Sequence, residues 1–183
     1  MSIISEIIQD EQYLRQISKK TSLKECLKLD IFSSLETTLK NNTPAGYGLT
    51  AIQIGYPICA GIIRMPKLKL NYFNPKIISQ YTKVTFKGEG CLSFPGKYVT
   101  TERFHHCEIE YFNERNEKRE GILTGLEAVV FEHETDHFKG ILFFDRQIKP
   151  YKKEVDIGRN SPCPECLKKG ITIKYKKCKL HFN

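Results

Sequence analysis

The clearest periodic pattern in the chain is helical and lies between about residues 125 and 139. Five side chains fall on one side of this segment: Leu126, Val129, Val130, His133 and His137. Thr124 can cap the helix and Glu127 completes a capping box three residues later, while Gly140 is a plausible stop. We therefore expect an amphipathic helix that directs two imidazoles toward the core.

The segments before this helix are typical of strands. Residues 106–112 alternate, with Cys107, Ile109 and Tyr111 on one face, and polar residues 113–118 suggest a hairpin loop. Further strands are predicted within 57–65, 70–85 and 120–123, after a helical region at 1–44. Because the strands come first and one core helix follows, the expected class is α+β, with mostly antiparallel strands packed around that helix.

Composition and charge narrow the class of protein. The 183 residues are 40% hydrophobic and 27% charged, which excludes a mostly disordered chain. No run approaches the roughly 18 apolar residues of a membrane span, and no secretory signal is evident. We expect no membrane partner and a cytoplasmic location of bacterial-type or viral origin. Residues 147–183 carry +7 of the net charge of +8. A segment this basic could bind RNA, or it could form a solvated basic surface that binds no partner.

The seven cysteines do not indicate a disulfide framework, because their number is odd and no secretion signal accompanies them. A reducing compartment fits better, and there clustered Cys and His suggest metal. Cys26, Cys59 and Cys107 lie in apolar patterns and are predicted to belong to the core.

The central motif is HExxH at residues 133–137. Residues four apart share a helix face, so His133 and His137 can reach one ion, and Glu134 can act on water as a general base. Two histidines could also pack there by chance. An extended metallopeptidase motif would need His at position 143, where this chain has Phe143, and Glu154 lacks a second apolar helix.

Two further segments offer the missing chemistry. As a thiolate, Cys91 in the segment 89–95 would complete a Cys-His-His site, although a buried free cysteine is the alternative. The glycine-bounded segment 46–53 ends in Gln53, whose amide could stabilise an oxyanion near a metal.

These three motifs together resemble the peptide deformylase family over about residues 1–150. The family's GxGLAAxQ appears as Gly46 to Gln53 with Thr50 in place of an alanine, while EGCLS (89–93) and HExDH (133–137) are unaltered. The resemblance implies removal of the N-formyl group from the formyl-methionine of nascent peptides, with release of formate. Two alternatives stay open: a zinc metallopeptidase, and an inactive deformylase-like protein that binds RNA or the ribosome.

The resemblance also implies a role for each matching residue. Cys91, His133 and His137 would hold one divalent metal, with Fe2+ favoured and Zn2+ or Ni2+ possible. Glu134 would be the general base and then acid, while Gln53 and the backbone N–H of Leu92 would hold the oxyanion. The substrate would meet Gly48 and a methionine pocket formed by Tyr47, Leu126, Val129, Val130 and the His133 ring. Arg103 is expected to be structural and paired with Asp136.

The C-terminal residues 151–183 are predicted to form a separate basic module beside a catalytic domain at 1–150. Cys163, Cys166, Cys178 and His181 have the spacing C-x2-C-x11-C-x2-H, which suits a closed structural Zn2+ site. A disordered tail with incidental cysteines is the alternative. If the module folds, its charge favours contact with the ribosome or ribosomal RNA.

Overall fold

A computed structural model describes residues 5–42 and 46–148 of the chain. Four helices and five strands make up these parts, together with two 3-10 helices at Ala51–Ile54 and Phe143–Arg146. The α-helices are α1 (Glu11–Leu14), α2 (Leu23–Lys28), α3 (Ile31–Asn41) and α4 (Leu126–His137). The strands are β1 (Gly48–Thr50), β2 (Ala60–Arg64), β3 (Lys69–Gly90), β4 (Tyr98–Phe112) and β5 (Lys118–Thr124). The predicted α+β class with antiparallel strands is confirmed.

The five strands form one sheet in chain order, and each strand pairs antiparallel with the next. The predicted hairpin loop lies at 113–117, between β4 and β5. The alternation in β4 follows the core: Cys107 and Ile109 are buried, and Tyr111 packs against the same apolar cluster. The strand pieces expected at 70–85 are parts of the single strand β3, which runs from Lys69 to Gly90.

The second half of β3 extends past the other strands and pairs with β4 alone. Its register shifts between Phe86 and Glu89, where Gly88 has a φ of +77°. Such an irregularity bends a strand and turns the side chains that follow it. The bend therefore comes directly before the connection at 91–97, which contains Cys91.

Helix α4 is buried nearly all round, so the expectation of an amphipathic helix is wrong. Every residue from Ala128 to His137 except His133 is classed as buried, including three acidic side chains. Two of these acids have partners: Glu132 accepts the backbone N–H of Phe104 at 2.8 Å, and Asp136 pairs with arginines. A buried carboxylate needs such partners, which lie far away in sequence.

The predicted N-cap of α4 is also wrong. Thr124 ends β5 and pairs with His106, so it is held in extended backbone and makes no cap. Gly125 stands at the N-cap, with a φ of +59°, and its N–H donates to His105 O. Strand pairing has overridden the local capping pattern. At the other end, Gly140 has a φ of +67°, as expected for a glycine that follows a helix terminus.

The N-terminal region contains three short helices where the sequence suggested a general helical character. Side chains from α2 and α3 pack with β1, β2 and the first 3-10 helix in one apolar cluster. Of the cysteines assigned to the core, Cys26 and Cys107 are buried, whereas Cys59 is half-buried. Within the described ranges, no helix has the length and apolarity needed to cross a membrane.

Candidate active site

Cys91 and two helix-borne histidines lie together. Cys91 follows the last residue of β3, and its carbonyl accepts the N–H of Phe94 at 3.0 Å in the turn that leads to β4. His133 and His137 are one helical turn apart on α4, with ring centroids 5.2 Å apart. The donor atoms of the three residues all lie within 4.8 Å of one another. In the described ranges this is the only group of three or more Cys, His, Asp or Glu side chains so arranged.

The donor set fits a metal ion in its chemistry as well as in its spacing. His133 Nδ1 lies 2.7 Å from Glu89 Oε1, which leaves Nε2 for another ligand. His137 Nε2 lies 3.4 Å from Cys91 Sγ. Burial, together with the positive charge of His133, lowers the pKa of His137 and favours the neutral imidazole that binds metals. A thiolate and two imidazoles suit a transition-metal dication.

Behind the histidines lies a buried network of charges. Arg103 donates to both carboxylate oxygens of Glu89, at 2.5 and 2.9 Å, and to Asp136 at 2.6 Å. Arg146 also pairs with Asp136, and Thr101 donates to Glu89 at 2.5 Å. Although burial raises the pKa of Glu89, hydrogen bonds from His133 and Arg103 lower it to about 2. The network keeps Glu89 ionised as the acceptor for His133. The pairing of Arg103 with Asp136 follows the expectation from sequence.

Glu134 is buried beside the donor set. Burial raises the pKa of its carboxyl to about 7. Its Oε2 atom is buried and has no hydrogen-bond partner among the residues described here. A carboxyl that titrates near neutrality and has an oxygen to spare is suited to accept a proton and return it.

Gly48 makes room for Glu134. A Cβ built on Gly48 would lie 2.4 Å from Glu134 Oε1, far inside contact distance. A methyl group at residue 48 would therefore force the Glu134 carboxyl to move.

Gln53 is buried in the first 3-10 helix. Its Nε2 lies 3.5 Å from Cys91 Sγ and donates to Ser93 Oγ at 3.2 Å. Its Oε1 accepts from Thr50. The amide N–H groups thus face the segment that contains Cys91 and Leu92. From this position they can donate hydrogen bonds to an oxyanion that forms beside Cys91.

A cavity of about 1070 Å³ connects these groups with solvent. Its wall contains Cys91, His133, Glu134 and Gln53, and it also contains every residue predicted to contact substrate: Tyr47, Gly48, Leu92, Leu126, Val129 and Val130. The valines are buried, whereas Tyr47 and Leu126 are 43% and 40% exposed. The cavity therefore offers an apolar interior with an aromatic and an aliphatic side chain toward solvent.

Some contributors were not predicted. Glu89 was recognised only as part of a motif, although an acid two residues before a candidate ligand is a usable signal. Ser93 is equally close to Cys91 in sequence. No local pattern indicates Thr101 or Arg146, because their contacts join distant parts of the chain. Cys163, Cys166, Cys178 and His181 lie outside the described residues.

An antiparallel α+β fold that gathers a thiol, two imidazoles, a buried carboxyl and an amide beside one cavity is that of a metal-dependent hydrolase. The sequence model of the polypeptide deformylase family matches residues 4–154. The chain belongs to this family.

Individual relatives agree. A peptide deformylase of Helicobacter pylori (strain Shi470) is 34% identical over 168 residues, which cover 85% of this chain and 94% of the relative. The peptide deformylase of Aquifex aeolicus is 46% identical over 107 residues, or 55% of this chain and 63% of that one.

Solved structures of deformylases are also similar. The peptide deformylase of Thermotoga maritima has a TM-score of 0.72 at 32% identity and covers 80% of this chain and 99% of its own. That of Synechococcus elongatus in complex with actinonin has a TM-score of 0.73 at 29% identity, with coverage of 82% and 81%.

Proposed function

We propose that this chain hydrolyses the formamide of N-formylmethionyl peptides, releasing formate and a peptide with a free amino terminus. The observation that carries the proposal is the meeting of the donor atoms of Cys91, His133 and His137 beside a cavity that Cys91, His133 and Glu134 line. Membership of the family supplies the substrate class.

Cys91, His133 and His137 would hold one divalent metal, and Glu89 would orient His133. When bound, such a metal supplies Lewis acidity and lowers the pKa of water that it coordinates. Fe2+ is the proposed native ion, with Zn2+ and Ni2+ as the alternatives. Metal analysis of protein purified without oxygen distinguishes them.

Glu134 is the proposed proton carrier. It accepts the proton of the water whose oxygen bonds to the formyl carbon, and Gln53 Nε2 and the Leu92 N–H donate to the oxyanion that forms. Glu134 then gives the proton to the departing nitrogen as the C–N bond breaks. Its position beside His133 and its pKa of about 7 support this assignment.

The methionine side chain would enter the apolar part of the cavity. Val129 and Val130 would contact its thioether, and Tyr47 and Leu126 would cover it nearer to solvent, with Gly48 beside the peptide backbone. An unbranched thioether fits an irregular apolar pocket of this kind.

The decisive test uses matched peptides. The metal-loaded protein should release formate from formyl-Met-Ala-Ser and should leave the N-acetyl peptide intact. It should not cleave the internal bonds of an unformylated peptide. Internal cleavage without formate release would favour the metallopeptidase alternative, and no turnover with full metal content would favour the inactive, RNA-binding one.

The architecture around the site is also part of the proposal. Contacts of α4 with β1, β2, β4 and β5 support its place at the centre of the catalytic domain. We place that domain at 1–150 and the basic module at 151–183, and the end of the family match at residue 154, close to this boundary, supports the division. A cytoplasmic location, in a bacterial-type or viral setting, stays a prediction.

A structural Zn2+ held by Cys163, Cys166, Cys178 and His181 is proposed from spacing alone. The Cys178→Ser variant should contain about one zinc less per chain than the wild type while deformylating at an unchanged rate. The Cys107→Ser variant is the control, because Cys107 is buried in the core. Equal zinc in wild type and Cys178→Ser would refute the module.

Contact of the tail with ribosomal RNA is proposed from its charge. Replacement of Lys174, Lys176, Lys177 and Lys179 by glutamine should weaken ribosome binding and its dependence on salt. A control replaces four basic residues of the body: Lys20, Lys24, Lys28 and Lys40. Unchanged affinity in the tail variant would remove the RNA proposal and favour a merely solvated surface.

A further inference from the structure

Thr50 and Gln53 form a buried pair at the edge of the cavity. Thr50 ends β1, Gln53 is the third residue of the following 3-10 helix, and the two residues are 0% and 2% exposed. Thr50 also stands where the family motif quoted above has alanine. The pair therefore contains a polar group that the motif does not require.

Two hydrogen bonds join Thr50 to the side chain of Gln53. Gln53 Oε1 accepts the backbone N–H of Thr50 and the hydroxyl of Thr50, each at 2.9 Å. A carboxamide oxygen can only accept, so the hydroxyl donates. Rotation of the amide by half a turn would place an NH2 group against the backbone N–H of Thr50, which can only donate. The hydroxyl could then accept from the NH2 group, but its own proton would lose Oε1 as an acceptor, so the hydroxyl favours the observed orientation through the hydrogen bond that it donates.

The orientation of the Gln53 amide matters because its Nε2 end faces the candidate metal ligand Cys91. With Oε1 bound to Thr50, Nε2 faces Cys91 Sγ at 3.5 Å and Ser93 Oγ at 3.2 Å. The inverted amide would turn an oxygen toward that side and would repel an oxyanion. Two donors on Oε1 also polarise the amide and strengthen its N–H groups as donors.

We propose that Thr50 is a positioning residue, whose hydroxyl holds the Gln53 amide with its N–H groups toward the reacting formyl oxygen. The inference rests on the proposed deformylase function. It assigns to Thr50 an effect on turnover that passes through Gln53 and through no other group.

The test is a double-mutant cycle in the full metal-loaded protein. Thr50→Val keeps the shape and removes the hydroxyl, and it should lower kcat on formyl-Met-Ala-Ser about fivefold to tenfold with KM changed less than about twofold. Thr50→Ser keeps the hydroxyl and should retain kcat within about twofold. In a Gln53→Ala background, Thr50→Val should change kcat less than about twofold.

Several results would overturn the inference. One is a wild-type kcat in Thr50→Val, and another is the same loss from Thr50→Val with and without Gln53. A thermal unfolding curve on each variant separates instability from catalysis, and Thr50→Ala replaces valine if valine prevents folding. An inactive wild type would instead refute the deformylase function itself, so the two failures are distinguishable.

Discussion

Glu134 depends on the absence of a side chain at residue 48. The ideal Cβ position on Gly48 lies 2.4 Å from Glu134 Oε1 and 2.8 Å from its Cγ. The three candidate ligands contact other parts of the fold, so a methyl group here should disturb the carboxyl and spare the metal. The position thus separates proton transfer from metal binding.

Gly48→Ala should therefore reduce kcat at least about tenfold while metal content stays at the wild-type level, because the displaced carboxyl no longer reaches the attacking water. The measurement pairs formate release with metal analysis. Gly121→Ala is the control, since a Cβ there meets nothing within 4 Å. A fully active Gly48→Ala variant would show that Glu134 need not occupy its observed position.

Three elements are joined by Arg103 on β4. It pairs with Glu89 near the end of β3 and with Asp136 on α4, and its own side chain is 1% exposed. The strand end that leads to Cys91 and the helix that bears the histidines are thus fixed to each other by one guanidinium. Both carboxylates would be buried with weaker partners in its absence.

Arg103→Met should lower the free energy of unfolding by about 3–5 kcal/mol, because it leaves buried charges uncompensated. Lys83→Met breaks the exposed pair with Glu102 in the same hairpin and should cost only about 0–1 kcal/mol. Urea denaturation of both variants makes the comparison. Equal small losses would mean that the Arg103 network contributes little to holding β3, β4 and α4 together.

The end of α4 meets the N-terminal segment at Gly140. A Cβ on Gly140 would lie 2.2 Å from the backbone oxygen of Arg15, and its φ is +67°. Gly55 also has a left-handed φ, +92°, but a Cβ there meets nothing within 4 Å. The two glycines share the backbone strain and differ in the clash.

Gly55→Ala should cost about 1 kcal/mol from strain alone. Gly140→Ala should cost at least about 2 kcal/mol more, since backbone must move to admit the methyl group. Thermal or urea unfolding compares the two. If the two substitutions lower the free energy of unfolding equally, the backbone near Arg15 moves easily to admit the methyl group. The contact between Gly140 and Arg15 would then not determine how the N-terminal segment packs.

Across the whole molecule, sequence patterns indicated which donor side chains lie together better than they predicted the packing. The residues of HExxH and Cys91 could be chosen because metal-ligand types and their spacing are local signals. The burial of α4 could not be predicted from local patterns. Its carboxylates Glu132 and Asp136 can be buried only because Phe104 and Arg103 on β4 provide their hydrogen-bond and charge partners.

The same contrast explains the capping error at the start of α4. Thr124 and Glu127 satisfy a capping pattern, yet Thr124 is committed to β5 by its pairing with His106. The candidate site thus depends on both local motifs and long-range contacts. The motifs supply the donors, and the network around Arg103 positions them.

The central claim is that Glu134 transfers protons beside a metal held by Cys91, His133 and His137. It is tested most directly by measuring formate release from formyl-Met-Ala-Ser and metal content in the same anaerobic samples of wild type and Glu134→Gln. We predict equal metal content and a rate at least about 100-fold lower in the variant, since general acid–base catalysis contributes about that much or more. An undiminished rate in Glu134→Gln would contradict the account.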